Sequence, residues 1–132
     1  MKQIFIAGNW KSNKTSIKAK NWLQKISNFK YPISNKEIIV CPSFALLSTV
    51  ESGIKNHKLG FKIGVQDISP FDEGAYTGEV NGKQIKEFGD YVIIGHSERR
   101  NNFSENEEMI NSKIEQAFKN NLTPILCISE IK

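Results

Sequence analysis

The chain has 132 residues, 39% of them hydrophobic and 24% charged, proportions that fit one soluble globular domain. No run approaches the roughly 18 to 20 consecutive apolar residues of a membrane span, and the apolar part of Met1–Gly8 is too short for a secretory signal. The net charge of +4 and pI near 9.1 do not indicate nucleic acid. The lysines are scattered or, like Lys14, Lys18, Lys20, Lys25 and Lys30, spread along one amphipathic segment as a solvated face, without the aromatic-basic interleaving that stacks bases.

Ile4-Phe5-Ile6-Ala7 is the first expected strand, short and continuously apolar, and Gly8-Asn9-Trp10-Lys11 follows it at once. From Thr15 to Phe29 the residues Ala19, Trp22, Leu23, Ile26 and Phe29 recur at helical spacing, so one stripe of a helix is buried. Asn13 or the Thr15-Ser16 pair is its expected cap. Pro32 and the polar Ser34-Asn35-Lys36 interrupt the chain before a second strand, Glu37–Cys41. Pro42-Ser43 opens a second helix with Ser43 as cap, Leu46, Leu47 and Val50 inward, and Gly53 as its stop.

The third strand is Lys62–Gln66. The longest irregular stretch follows it, Asp67 to Gly78, and loops of that length inside a compact domain are usually functional or disordered. A shorter helix, about Asn81 to Phe88, leads into the fourth strand, Tyr91–Ile94. Ser104-Glu105-Asn106-Glu107 has the form of a capping box and opens a helix with Ile110, Ile114, Ala117 and Phe118 on one face. Pro124–Ile128 is the fifth strand. Cys41 and Cys127 each end an apolar run, which reads as two reduced, buried thiols in a cytosolic protein, with no disulfide or metal pair.

Strands apolar on both faces and spaced roughly 25 to 35 residues apart form right-handed βαβ units in a parallel sheet covered by helices. This periodicity fits either a doubly wound sheet or part of a (β/α) barrel. No G-x-G-x-x-G follows any strand, so a dinucleotide site has little support. Two strand ends carry chemistry. Asn9 and Lys11 flank Trp10 after the first strand, and alternation turns them to one side and Trp10 to the other. A lysine there offers a point charge to a phosphate, carboxylate or oxyanion, or else is a surface lysine. After the fourth strand come His96, Ser97 and Glu98. His96 is a catalytic residue or a histidine in a solvated loop.

GNWK at Gly8–Lys11, VCPSF at Val40–Phe44, GAYTGEV at Gly74–Val80 and IIGHSERR at Ile93–Arg100 occur together and in order. In this the chain resembles the triosephosphate isomerases, and the likeness runs through its whole length. The resemblance implies a partial α/β TIM barrel, about five strands and four helices of the eight-fold barrel, with residues 1–132 as a single partial domain. It further implies cytoplasmic interconversion of dihydroxyacetone phosphate and glyceraldehyde 3-phosphate in glycolysis and gluconeogenesis. No cofactor, metal, nucleic acid or membrane enters that reaction. Asn9 and Lys11 correspond to the substrate-binding pair, with Lys11 also catalytic in offsetting the charge of substrate and enediolate. His96 corresponds to the electrophile that hydrogen-bonds the substrate oxygens and Glu98 to the family's carboxylate near the lysine, with Ser97 and Glu98 as supporting residues. Thr77, on the long loop, corresponds to the residue of an interface arm that reaches a neighbouring subunit in a homodimer. Two departures are Asp67, where the family usually has Asn, and Ser129, where it usually has Gly.

The family's barrel takes roughly 250 residues and eight strands. The general base, the lid and the phosphate-binding loops of the family lie beyond the fifth strand, and Glu98 and Glu130 match other positions. The expectation is therefore a truncated chain that is inactive alone. The alternatives are one chain of a split enzyme completed by a C-terminal chain, and a non-catalytic phosphate-ligand or interaction module. A partial barrel also exposes apolar surface, which favours self-association.

Overall fold

A computed structural model describes residues 2–30 and 34–128. Pro32, Ser129 and Glu130, singled out above, lie outside the described residues. The chain divides into two compact units, Met1–Gly64 and Val65–Lys132.

The first unit contains β1 (Ile4–Asn9), α1 (Ser16–Ser27), β2 (Lys36–Cys41), a 3₁₀ turn (Phe44–Leu46), α2 (Leu47–Asn56) and the start of β3 (Lys62–Val65). β1 runs parallel to β2 from Ile4 opposite Lys36 to Asn9 opposite Cys41, and β2 pairs in parallel with β3. α1 begins where the Thr15 hydroxyl accepts from the Lys18 N–H, one of the two expected caps. It buries Ala19 and Leu23, while Phe29 is exposed, so the buried stripe is narrower than its spacing predicts. Ser43 makes no side-chain cap. The chain first makes a 3₁₀ turn, and α2 runs on through Gly53 to Asn56. Gly53 lies inside the helix, where a Cβ would stand 2.4 Å from Leu23 Cδ1, so a larger residue would require the Leu23 side chain to shift and the glycine lets α1 and α2 approach closely.

The second unit contains α3 (Gly82–Lys86), β4 (Tyr91–Ile94), α4 (Ser97–Asn102), α5 (Glu107–Lys119) and β5 (Thr123–Leu126). β4 and β5 are parallel, from Tyr91 opposite Thr123 to Ile94 opposite Leu126. α3 carries a full capping box, in which Asn81 accepts from the Gln84 N–H and Gln84 accepts from the Asn81 N–H. The box expected at Ser104–Glu107 does not form. Asn106 caps α5 instead, accepting from Met109 N–H, because Ser104 sits in the left-handed region at φ 54° and ends the turn before the helix. α4 is a fifth helix beyond the four expected. Its polar sequence, SERRNN, has no apolar stripe, so periodicity gives no sign of it.

α5 buries Ile110, Lys113 and Ala117, and Phe118 is exposed. A lysine therefore takes the inward position that the spacing predicted for apolar residues. β2 to β4 bury their apolar residues, but β1 is exposed along its length. Phe5 is 56% exposed, and Leu126 and Ile128 are exposed at the other end of the chain. This is the apolar exposure expected of a partial barrel. Cys41 is buried and Cys127 only partly so, and neither is in a disulfide. Among the described residues no helix is long and apolar enough to cross a membrane.

Candidate active site

In the first unit, β1 delivers Asn9 and Lys11 at its carboxyl end. The strand stops at Asn9, whose Oδ1 accepts the Lys11 N–H at 2.9 Å. Lys11 then adopts a left-handed backbone, φ 55°, a conformation costing about 1–3 kcal/mol for a residue with a side chain. The expected alternation therefore ends one residue early, and a turn orients Lys11. Trp10 packs edge-on against Trp22 with ring centroids 5.1 Å apart, and Lys14 lies over the Trp10 ring. The Trp10 backbone N–H donates to the Cys41 carbonyl, which ties the turn to the end of β2. Cys41 itself has its thiol pKa pushed up to about 12 by burial, against a lowering hydrogen bond from the Gly64 backbone.

In the second unit, β4 ends in Gly95 and His96. Gly95 has φ 73°, and a Cβ would meet Arg100 Nη2 at 2.9 Å and Ile110 Cδ1 at 3.3 Å. Only glycine suits both the conformation and the space. His96 is the N-cap of α4. Its carbonyl accepts the N–H groups of Arg99 and Arg100, and its Nδ1 accepts the Glu98 N–H at 3.2 Å. In a neutral ring this contact puts the proton on Nε2, which is then a donor. Glu98 Oε2 stands 3.6 Å from Nδ1, beside the histidine. Ser97, the first residue of α4, is exposed.

Thr77 lies in the exposed loop after β3. Glu79 N–H donates to the Tyr76 carbonyl, and Gly78 at φ 95° makes the third residue of that turn, with Thr77 at its outer corner. The loop is braced rather than loose. Phe71 and Tyr76 stack at 4.2 Å, Lys119 pairs with Asp72 and Lys83 with Glu73, and Ser69 N–H closes the root on the Val80 carbonyl.

The sequence reading missed two sets of residues. Arg100 donates from Nε to the Gly95 carbonyl at 2.7 Å and from Nη2 to the Cys127 carbonyl at 3.2 Å, and it pairs with Glu107, so it joins the ends of β4 and β5. Arg99, Asp67, Glu105 and Lys113 form an ionic cluster in which Glu105 and Lys113 are buried and Asp67 and Arg99 are partly exposed. The available signal was the i, i+3, i+7 spacing of Ile110, Lys113 and Ala117, which places the lysine on the inward face. Burial raises the Asp67 pKa, against hydrogen bonding and charge from Lys113 and charge from Arg99. For Glu105 burial also acts upward, but Lys113 and Arg99 together outweigh it and leave the pKa lowered.

Parallel βα units that carry polar and basic groups at the carboxyl ends of β1 and β4 define a partial (β/α)-barrel protein. The family model for triosephosphate isomerase matches residues 4–132. Proteins named triosephosphate isomerase from Alkaliphilus oremlandii and Dictyoglomus thermophilum are each 41% identical over 131 residues, which is 98% of this chain and 52% of theirs. One from Trichodesmium erythraeum is 40% identical across all of this chain and 55% of its own length. The chain belongs to the triosephosphate isomerase family, and it spans about half the length of these relatives.

Proposed function

We propose that these residues supply part of the machinery for interconverting dihydroxyacetone phosphate and glyceraldehyde 3-phosphate, a cytoplasmic step of glycolysis and gluconeogenesis. Residues 1–132 make one partial barrel domain. Lys11 offsets the negative charge of the substrate and of the enediolate, and Asn9 binds substrate beside it. His96 donates from Nε2 to the substrate oxygens and shuttles a proton between them. Ser97 and Glu98 support the histidine from the first turn of α4, and Thr77 belongs to an arm that meets a second subunit in a homodimer. No residue of the 132 is assigned the base that takes the carbon-bound proton, so the isolated chain does not turn over.

The observation that carries this reading is the Nδ1 contact of His96 with the Glu98 N–H, within a chain whose residues 4–132 match the family. That contact leaves Nε2 as the donating nitrogen of a neutral ring. The test joins the 132 residues to the remaining half of the Alkaliphilus oremlandii relative and follows isomerisation in a coupled assay. The chimera should be active, and His96→Ala or Lys11→Ala should lower kcat/KM by at least about 100-fold. Activity indifferent to both substitutions would refute the assignment, whereas turnover by the isolated chain that disappears in its His96→Ala variant would refute its inactivity alone.

A further inference from the structure

Lys113 is only 2% exposed, and its ammonium lies 2.7 Å from both Asp67 Oδ1 and Glu105 Oε2. Arg99 Nε approaches that same Glu105 oxygen at 2.7 Å and Asp67 Oδ2 at 3.1 Å. Two cations and two carboxylates alternate about one joint, with no net charge when all four are ionised. An uncompensated buried charge is strongly unfavourable, so each member depends on the others.

Three elements meet at this joint: the root of the 67–80 loop through Asp67, α4 through Arg99, and α5 through Lys113. Glu105 enters from the turn between the two helices. α4 is six residues long, too short to persist unaided, and its first turn is what orients His96. Glu98 N–H fixes Nδ1, and the next residue along the chain is Arg99. Arg99 also lies over the Phe103 ring, which holds its guanidinium at the end of α4 facing the joint.

We propose that Asp67 is a positioning residue for His96. It acts through Arg99, so the root of the long loop sets the orientation of the imidazole. Calling this positioning for catalysis rests on His96 being the electrophile, but the coupling itself does not. The test therefore uses no substrate. The imidazole ¹⁵N signals of the full chain are recorded at pH 8, where an ordinary histidine is neutral, with His57, the C-cap of α2 in the other unit, as internal control.

The wild-type chain should show His96 as a fixed Nε2–H tautomer. In Asp67→Ala, the His96 signals should move toward tautomer-averaged values while those of His57 stay in place. Asp67→Asn keeps an acceptor for Lys113 and should move His96 less. Unmoved His96 signals in Asp67→Ala would overturn the proposal, as would His57 moving as far as His96. If Asp67→Ala does not fold, Asp67→Ser, too short to reach Arg99 as the carboxylate does, carries the same test and must move His96 alone. Loss of the isomerase reading would appear separately, as a chimera whose activity ignores His96→Ala.

Discussion

Replacing Lys113 with methionine keeps the side chain's length and removes its charge, leaving two carboxylates that share Arg99. Glu105 suffers most, since its side chain is 0% exposed and loses one of the two donors to Oε2. Asp67 is 18% exposed at its side chain, so water offsets part of its loss. Removing one partner from a buried ion pair costs about 3–5 kcal/mol, and the exposure of Asp67 places this variant near the lower end. A loss of that size is a large share of the roughly 5–15 kcal/mol that holds a domain folded. With a urea slope of about 1–3 kcal/mol per molar, the midpoint should fall by at least about 1 M.

The probe has to report on residues 65–132. Trp10 and Trp22 both lie in the other unit, so their fluorescence is the wrong signal. Hydrogen exchange at the amides of α5, read alongside far-UV circular dichroism, follows the correct segment. The variant Glu105→Leu/Lys113→Met removes an anion and a cation together and leaves Arg99 with Asp67. It should be more stable than Lys113→Met alone, because hydrophobic replacement of a whole buried pair is often neutral. A Lys113→Met chain within about 0.5 kcal/mol of wild type, the range of an ordinary surface change, would refute the claim that this cluster holds the unit together.

Three further outcomes are expected. The lowered Glu105 pKa adds stability that is present above its unfolded value of about 4.5 and lost as pH falls through the folded value. Asp67, with its pKa raised, has the opposite sign, its contribution being full below about 3.8 and lost as pH rises through its folded value. Glu105→Gln should thus flatten the acid limb of urea stability measured from pH 6 to 3, and an unchanged limb would reject the assignment. Cys41, held protonated to about 12 against an ordinary 9.0, should resist a thiol reagent at pH 8.5 while the partly exposed Cys127 reacts. Equal labelling of both cysteines would contradict this, and between pH 9.0 and about 12 the buried thiol should cost the fold about 1.4 kcal/mol per pH unit. Phe5, 56% exposed on β1, should drive self-association of the isolated chain. Phe5→Lys should shift sedimentation toward smaller species, and a wild-type chain already monomeric at high concentration would argue otherwise.

The sequence by itself determined the order of the strands and of every helix but α4, because apolar spacing is a local property that survives without knowledge of what packs where. β4 was legible to the residue, since Tyr91–Ile94 is bounded by Gly95 and His96. The candidate residues Asn9, Lys11 and His96 were legible too, because each sits at the end of a short apolar run. Caps were harder to place. Thr15, Asn81 and Asn106 each accept from an N–H three residues on, whereas Ser43 and Ser104 do not, and several nearby polar residues compete for every such position.

Tertiary structure alone decided which inward positions are apolar. Phe118 and Phe29 continue helical stripes in the sequence but face solvent. Lys113 is buried because Asp67, 46 positions away, and Glu105 meet its ammonium. A lysine enters a core only where opposite charges already wait, and those partners come from a loop root and a helix turn that no periodicity links. The same holds for α4, whose six polar residues are helical because the His96 carbonyl caps them and Arg99 and Arg100 are gripped from either side. The orientation of His96 rests on those distant contacts, so its presence could be read from the chain but its setting could not.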